Sequence, residues 1–179
     1  VQGLELRASP GVFYQVNLDI NELLVEFITS EILKLNATRV LDLFAGIGNF
    51  GIPLAQSGLN VVGVEHPGRA IQDYTYSGQR YELSSRLEII GLDAKKFDPT
   101  RVFFDVAIVD PPRIGTMGAL AKLIQNRPTD IFYISCHLPS AAREIKHIAT
   151  SGYQIHQVRC FDMFPDTHHF ETVIHLKRT

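Results

Sequence analysis

The chain has 179 residues, 45% of them hydrophobic, enough for one sizeable core and one domain, and its 17 basic against 19 acidic side chains give a net charge of −2. That balance argues against a freestanding nucleic-acid binder built on a basic face. Two well-separated cysteines, Cys136 and Cys160, show neither metal-ligand spacing nor a disulfide framework and suit a reducing, cytoplasmic setting; no apolar run has membrane-spanning length and no signal peptide is visible.

Leu4–Ala8 alternates like an edge strand, Ser9-Pro-Gly11 turns the chain, and Val12–Val16 is the expected hairpin partner. Asn17 is placed to cap a helix in which Ile20, Leu23, Leu24, Phe27, Ile28, Ile32 and Leu35 recur at helical spacing. Val40, Leu41 and Leu43 supply a first core strand, and further strands are expected at Asn60–Glu65, Leu87–Gly91, Val102–Asp110 and Asp130–Ser135, with two closing strands at Tyr153–Phe164 and Glu171–Leu176. Helices are expected from His66-Pro-Gly68 to about Tyr81, from Met117 to Asn126, and from Ser140 to Thr150. Short alternation of strand and helix predicts an α/β fold with a mostly parallel seven-stranded sheet flanked by helices. Residues 1–36 form the N-terminal hairpin and helix, and residues 37–179 form the core of the single domain.

The chain is organised around Arg39–Ala55, which reads as a buried strand, a glycine turn and a helix start. Gly46-x-Gly48-x-x-Gly51 has the spacing of a dinucleotide fingerprint in the right context. Gly46 and Gly48 are expected to let the backbone turn sharply and approach a ligand. Asp42 interrupts the apolar strand, which a plain pyrophosphate site does not need. Glu65 ends the second strand, where a carboxylate accepts from ribose hydroxyls. The pair fits an adenosine-type ligand, a dinucleotide or S-adenosylmethionine, without choosing between them.

Three further strand ends carry unusual residues. Asp110-Pro-Pro-Arg113 holds an acid at the mouth of the crevice, and Arg113 suits either a phosphate or a carboxylate. Cys136 follows the fifth strand, where a cysteine serves as a nucleophile or as a small buried hydrophobe. In Phe164-Pro-Asp-Thr-His-His-Phe-Glu171 the adjacent histidines point to opposite faces of an extended chain, so no metal site is expected there. Glu171 is a candidate general base, and Cys160 is expected in the core without a role.

Phe13-Tyr-Gln-Val-Asn17, Leu41-Asp-Leu-Phe-Ala-Gly-Ile-Gly-Asn-Phe50, Val109-Asp-Pro-Pro-Arg113, Ile134-Ser-Cys136 and Asp162–Glu171 occur in this order. Together they resemble the catalytic domain of the RNA 5-methyluridine methyltransferases. The resemblance implies a Rossmann-like class I methyltransferase fold, S-adenosylmethionine as cofactor, an RNA substrate (ribosomal or transfer RNA), no metal and a monomer. It implies that Gln15, Phe44, Asn49, Glu65 and Asp110 contact the cofactor around Gly46. It also implies that Cys136 is the nucleophile and Glu171 the base. Asp93 stands where methyltransferases of this fold often place a residue near the adenine.

Departures are visible. His137-Leu138 replaces the family's usual Asn-Pro, Ala45 replaces a common cysteine, and Tyr74-Thr-Tyr-Ser-Gly78 stands where paired asparagines are usual. The N-terminal β-barrel RNA-binding domain of many relatives is not in these residues, so the expectation is a catalytic portion of a longer protein or a reduced member. The rival readings are an amino-group or cytosine-C5 methyltransferase and an inactive cofactor-binding module. Amino-group chemistry leaves Cys136 and Glu171 idle, and cytosine enzymes use a second cysteine in a motif that Cys160 lacks. At a net charge of −2 these 179 residues are expected to bind RNA weakly; a gel-shift titration showing tight, steeply salt-dependent binding would contradict this.

Overall fold

The computed structural model describes residues 1–167 and 170–179. Its elements run α1 (Leu18–Lys34), β1 (Arg39–Leu43), α2 (Gly51–Gln56), β2 (Asn60–Glu65), α3 (Arg69–Arg80), β3 (Leu87–Gly91), β4 (Val106–Val109), α4 (Ala119–Asn126), β5 (Asp130–Ser135), α5 (Leu138–Ala149), β6 (Tyr153–Phe161) and β7 (Glu171–Arg178). The seven strands lie in the order β3-β2-β1-β4-β5-β7-β6. The first five are parallel, and β7 inserts antiparallel between β5 and β6. The strand order reverses between β1 and β4, which opens a crevice at the carboxyl ends of the parallel strands.

Strand alternation splits the core into two layers. Val40, Phe132 and Val173 face Leu24 and Ile28 of α1 and Ile52 of α2. Leu41, Leu43 and Val109 face Leu123 of α4 and Ile148 of α5. A sheet covered on both faces explains why the central strands read as continuous apolar runs. Asn17 caps α1 by accepting from the Ile20 amide at 3.2 Å, an interaction worth about 1 kcal/mol. Leu24, Ile28 and Ile32 form the buried stripe of α1, whereas Leu23 faces outward.

The N-terminal hairpin does not form. The turn is present, with the Val12 amide donating to the Ser9 carbonyl at 3.0 Å, but neither Leu4–Ala8 nor Val12–Val16 is a strand. The amides that a partner strand would take are used by α3 and the residue after it. Ser9 donates to Asp73 Oδ2 at 2.7 Å, Arg7 to Ser77 Oγ at 3.0 Å and Glu5 to the Tyr81 hydroxyl at 2.6 Å. The steps match: two extended residues advance about 6.6 Å and four helical residues about 6 Å. Alternate amides of the strap therefore meet acceptors at i, i+4 and i+8, which a periodicity-2 pattern alone does not distinguish from a hairpin.

Other boundaries move: the helices expected from His66, Met117 and Ser140 start at Arg69, Ala119 and Leu138, and the fourth strand ends at Val109 rather than Asp110. The fourth strand starts at Val106 rather than Val102, because Asp105 turns to accept from the Thr38 and Arg39 amides at 2.8 and 2.9 Å. The sixth ends at Phe161 rather than Phe164, and the seventh runs on to Arg178. Cys160 is exposed rather than in the core, because β6 is an edge strand whose residues from Gln154 to Cys160 face solvent. Among the described residues no helix is long and apolar enough to cross a membrane.

Asp73 is fully buried, accepts from both the amide and hydroxyl of Ser9, and meets Arg7 Nε at 3.0 Å. Asp73→Ala is expected to destabilise the chain by about 2 kcal/mol in urea denaturation. It should also expose residues 1–10 to limited proteolysis ahead of the core.

Candidate functional site

The glycine turn is built from left-handed backbone at Phe44 (φ +64°), Gly46 (φ +55°) and Gly48 (φ +92°). Phe44 carries a side chain in a region that costs about 1–2 kcal/mol. Its amide and that of Ala45 both donate to the Val64 carbonyl, at 3.0 and 3.1 Å, and so tie the turn to β2. Glu65 completes the tie: one carboxylate oxygen accepts from the Gly46 amide at 2.9 Å and the other from the His66 amide at 2.8 Å.

The fingerprint glycines divide by purpose. A methyl on Gly46 would meet nothing within 4 Å, whereas one on Gly48 or Gly51 would collide with Tyr74. Gly46 borders the crevice, as the sequence leads one to expect, but Gly48 is needed for packing beneath the turn rather than for ligand approach. Asn49 is locked by a reciprocal amide pair with Asn21 of α1, at 2.8 and 2.9 Å.

All nine sequence-predicted residues border one cleft of about 1350 Å³ at the carboxyl ends of the strands. Gln15 enters from the N-terminal strap, while Phe44, Gly46 and Asn49 form the turn. Glu65, Asp93, Asp110 and Cys136 stand at or just past the ends of β2, β3, β4 and β5, and Glu171 opens β7. Asp93 also accepts from the Lys95 amide at 2.9 Å.

Cys136 and Glu171 come together through strand register. β5 and β7 are antiparallel with Ser135 opposite Thr172, so the residue after Ser135 faces the residue before Thr172. Cys136 is half-buried and Glu171 is 6% exposed. Burial, then the Glu171 charge, holds the Cys136 thiol above its ordinary range, and the Arg113 guanidinium offsets part of that rise. Burial, then the Asp110 charge, raises Glu171 to about 8, again opposed by Arg113. Burial alone raises Asp110 to about 7. Arg113 is therefore the cation shared by the thiol and the acid, a role the sequence reading left open between phosphate and carboxylate.

Sequence reasoning missed the residues that hold these groups in place. Asn21 lies within an apolar helical pattern and reads as a surface position. Ser140 Oγ donates to the Arg113 carbonyl at 3.1 Å, joining the Asp-Pro-Pro-Arg segment to the start of α5. Glu144 accepts from the Thr116 amide at 2.8 Å and the Tyr133 hydroxyl at 2.6 Å. Only i, i+4 spacing from Ser140 to Glu144 on α5 hinted at a common face. The pair His168-His169 lies outside the described residues.

Strand order, the reversal between β1 and β4 and the cleft beside the glycine turn define a class I methyltransferase fold of the S-adenosylmethionine-dependent type. Comparison with known proteins narrows the class. The family model described as tRNA (Uracil-5-)-methyltransferase matches residues 70–179, and the chain belongs to that family. It is 31% identical over 187 residues to the 23S rRNA (uracil(1939)-C(5))-methyltransferase RlmD of Dichelobacter nodosus, across 100% of this chain and 43% of that protein. The crystal structure of the Pyrococcus abyssi tRNA (uracil-54, C5)-methyltransferase in complex with S-adenosyl-L-homocysteine superposes with a TM-score of 0.82 at 30% identity, covering 97% of this chain and 42% of that one. Magnesium protoporphyrin IX methyltransferase of Synechocystis, at a TM-score of 0.74 and 14% identity, shares the fold alone. The chain thus spans about two fifths of the length of its uracil-methyltransferase relatives.

The buried carboxyls set a pH dependence. Asp42, raised to about 8, Glu171 and Asp110 bind protons in the folded state at pH values where the unfolded chain has released them. Their contribution to stability is complete below about pH 4 and is lost as pH rises toward 8. The ligand-free chain is expected to melt at progressively lower temperature from pH 5.5 to pH 8. Asp42→Asn should flatten that slope in a thermal scan.

Proposed function

We propose that this chain is the catalytic domain of an RNA uracil-C5 methyltransferase that uses S-adenosylmethionine. The observation that carries the reading is the convergence of Cys136, Glu171 and Arg113 on the cleft that also holds the glycine turn. The cleft, at about 1350 Å³, exceeds the roughly 300–1,000 Å³ of an ordinary small-ligand pocket. It has room for a nucleoside cofactor and a flipped pyrimidine together.

The residues present fit the cofactor. Gly46 leaves open space above the turn. Glu65 uses one lone pair on each oxygen for a backbone amide and keeps the others for ribose hydroxyls. Gln15, Phe44, Asn49 and Asp110 complete the binding wall, and Asp93 stands on the adenine side. The S-adenosyl-L-homocysteine complex of the Pyrococcus abyssi relative supports this assignment. When bound, S-adenosylmethionine supplies an electrophilic methyl group.

The chain's own side chains do the remaining chemistry. Cys136, as a thiolate favoured by Arg113, adds to C6 of uracil and makes C5 nucleophilic. Once C5 carries the methyl, the adduct is a saturated ring with a hydrogen still on C5. Glu171 removes that proton, the C5–C6 double bond re-forms, and the Cys136 sulfur leaves as thiolate. The electrostatics follow this order. While Cys136 is a thiolate, its charge opposes ionisation of Glu171; consuming the thiolate in the C–S bond removes that opposition just before a base is required.

RNA is the proposed substrate on the strength of family membership and the relatives' names. With a net charge of −2, the chain is proposed to depend on a further RNA-binding region, consistent with its spanning only 43% of its rRNA-modifying relative.

RNA containing 5-fluorouridine blocks the last step, because fluorine does not leave C5 as a cation. With S-adenosylmethionine present, the wild-type chain is expected to form a complex that survives denaturing electrophoresis, and Cys136→Ala to form none. Glu171→Gln should slow turnover on ordinary RNA by about 10²–10⁴-fold while still forming the adduct. A wild-type chain that binds RNA and cofactor yet traps nothing would refute the covalent route.

A further inference from the structure

Tyr74 sits in the middle of α3 with no part of its side chain exposed. It is surrounded by three glycines from different elements. A methyl on Gly48 would lie 2.8 Å from Tyr74 Cδ2, and one on Gly51 would lie 2.5 Å from the hydroxyl oxygen. One on Gly63 of β2 would lie 3.0 Å from that same oxygen. Tyr74 therefore depends on the missing Cβ at Gly48, a space it shares with Ile52 at 2.6 Å, and at Gly51, while a Cβ at Gly63 would crowd its hydroxyl and meet Ile89 at 2.9 Å. Gly48 lies in the turn that faces the cofactor cleft, and Gly51 opens α2 directly after it.

The hydroxyl ends beside Gly51, and Asp42 Oδ2 stands 3.0 Å from the same Gly51 methyl position. Asp42 comes from β1 and is fully buried. Among the described residues, neither Asp42 oxygen nor the Tyr74 hydroxyl has a hydrogen-bond partner of good geometry. Burial and the Asp42 charge hold the phenol well above its ordinary range, so it remains a donor. The Gly51 amide pulls the Asp42 carboxyl down without completing a well-formed bond; the Tyr74 hydroxyl and Asp42 Oδ2, which flank the Gly51 methyl position, are costly there unless they satisfy one another. Neither residue borders the cleft, so any effect they have on the cofactor passes through the turn.

We propose that Tyr74 is a positioning residue for the cofactor: its ring, keyed against Gly48 and Gly51, and its hydroxyl, linked through one water to the Asp42 carboxyl, hold the glycine turn in its receiving shape. This rests on the S-adenosylmethionine reading of the cleft. It also assigns a purpose to one position in the segment that departs from the family's usual asparagine-bearing helix.

The test is calorimetric titration of the chain with S-adenosyl-L-homocysteine, at a temperature where circular dichroism shows each variant folded. Tyr74→Phe keeps the ring and removes the hydroxyl, and is expected to weaken binding about 5- to 10-fold. Asp42→Asn should weaken it comparably, and the double variant should be no weaker than the weaker single one, since both remove the same link. Losses that multiply in the double variant, or a Tyr74→Phe chain that binds like wild type, overturn the proposal. Amide hydrogen exchange supplies a second arm without cofactor: Tyr74→Phe should exchange faster than wild type at Gly48–Gly51, and unchanged exchange there overturns the brace. A wild-type chain that fails to bind the ligand would count against the cofactor reading, leaving the exchange result to decide the brace by itself.

Discussion

The antiparallel insertion of β7 beside β5 is the constraint on which the site depends. Parallel strands present only their carboxyl ends to the crevice, so they supply Glu65 from the last position of β2 and Asp110 and Cys136 from the first positions beyond β4 and β5. A reversed strand presents its amino end at the same edge. Glu171, the first residue of β7, therefore stands across from the position after Ser135, although 35 residues separate it from Cys136 along the chain. A register slip of one residue would turn Glu171 to the other face of the sheet and leave the thiol without its acid.

Charge is the second constraint. Asp42, Asp110 and Glu171 are all held above the carboxylate range, with burial the largest cause for each. Such crowding is tolerable because raised pKa values let these carboxyls hold protons, Asp42 and Glu171 up to about 8 and Asp110 up to about 7, and because Arg113 serves both Cys136 and Glu171. The price in stability falls most heavily on the ligand-free chain, which suits a cleft proposed to receive a cationic cofactor. Perturbed acids concentrated at a strand-end crevice are what a proton-transfer site requires.

The second face of the molecule explains the segment that departs from the family pattern. Asp73 and Ser77 of α3, with Tyr81 just beyond it, hold the N-terminal strap by three backbone amides, and Tyr74 between them turns inward beneath the glycine turn. One helix thus carries an outward polar ladder and an inward wedge, four residues or one residue apart. The strap in turn brings Gln15 to the cleft, so changes in α3 act on the site from two directions.

Much of the fold was legible from residue order alone. Runs of five or six residues bounded by turn signals marked β2, β3 and β5 to the residue; β2 and β5 are largely apolar because a strand covered on both faces needs a continuous apolar run and little else. The glycine turn and the acid ending β2 were legible because backbone conformation and strand-end position are local properties. The strap was not: alternation at Leu4–Ala8 states that every second amide needs an acceptor, without saying whether a strand or a helix provides it. Cys160 was misplaced for a similar reason, since an apolar strand context does not reveal which strand is the sheet edge. The Asn21–Asn49 pair, the sharing of Arg113 and the keying of Tyr74 against Gly48 and Gly51 depend on distances between elements far apart in the chain. What the sequence determined by itself was therefore the elements and the chemical types present at their ends; the tertiary structure decided which of those groups meet, because hydrogen bonds and charges act over a few ångströms of space and take no account of separation along the chain.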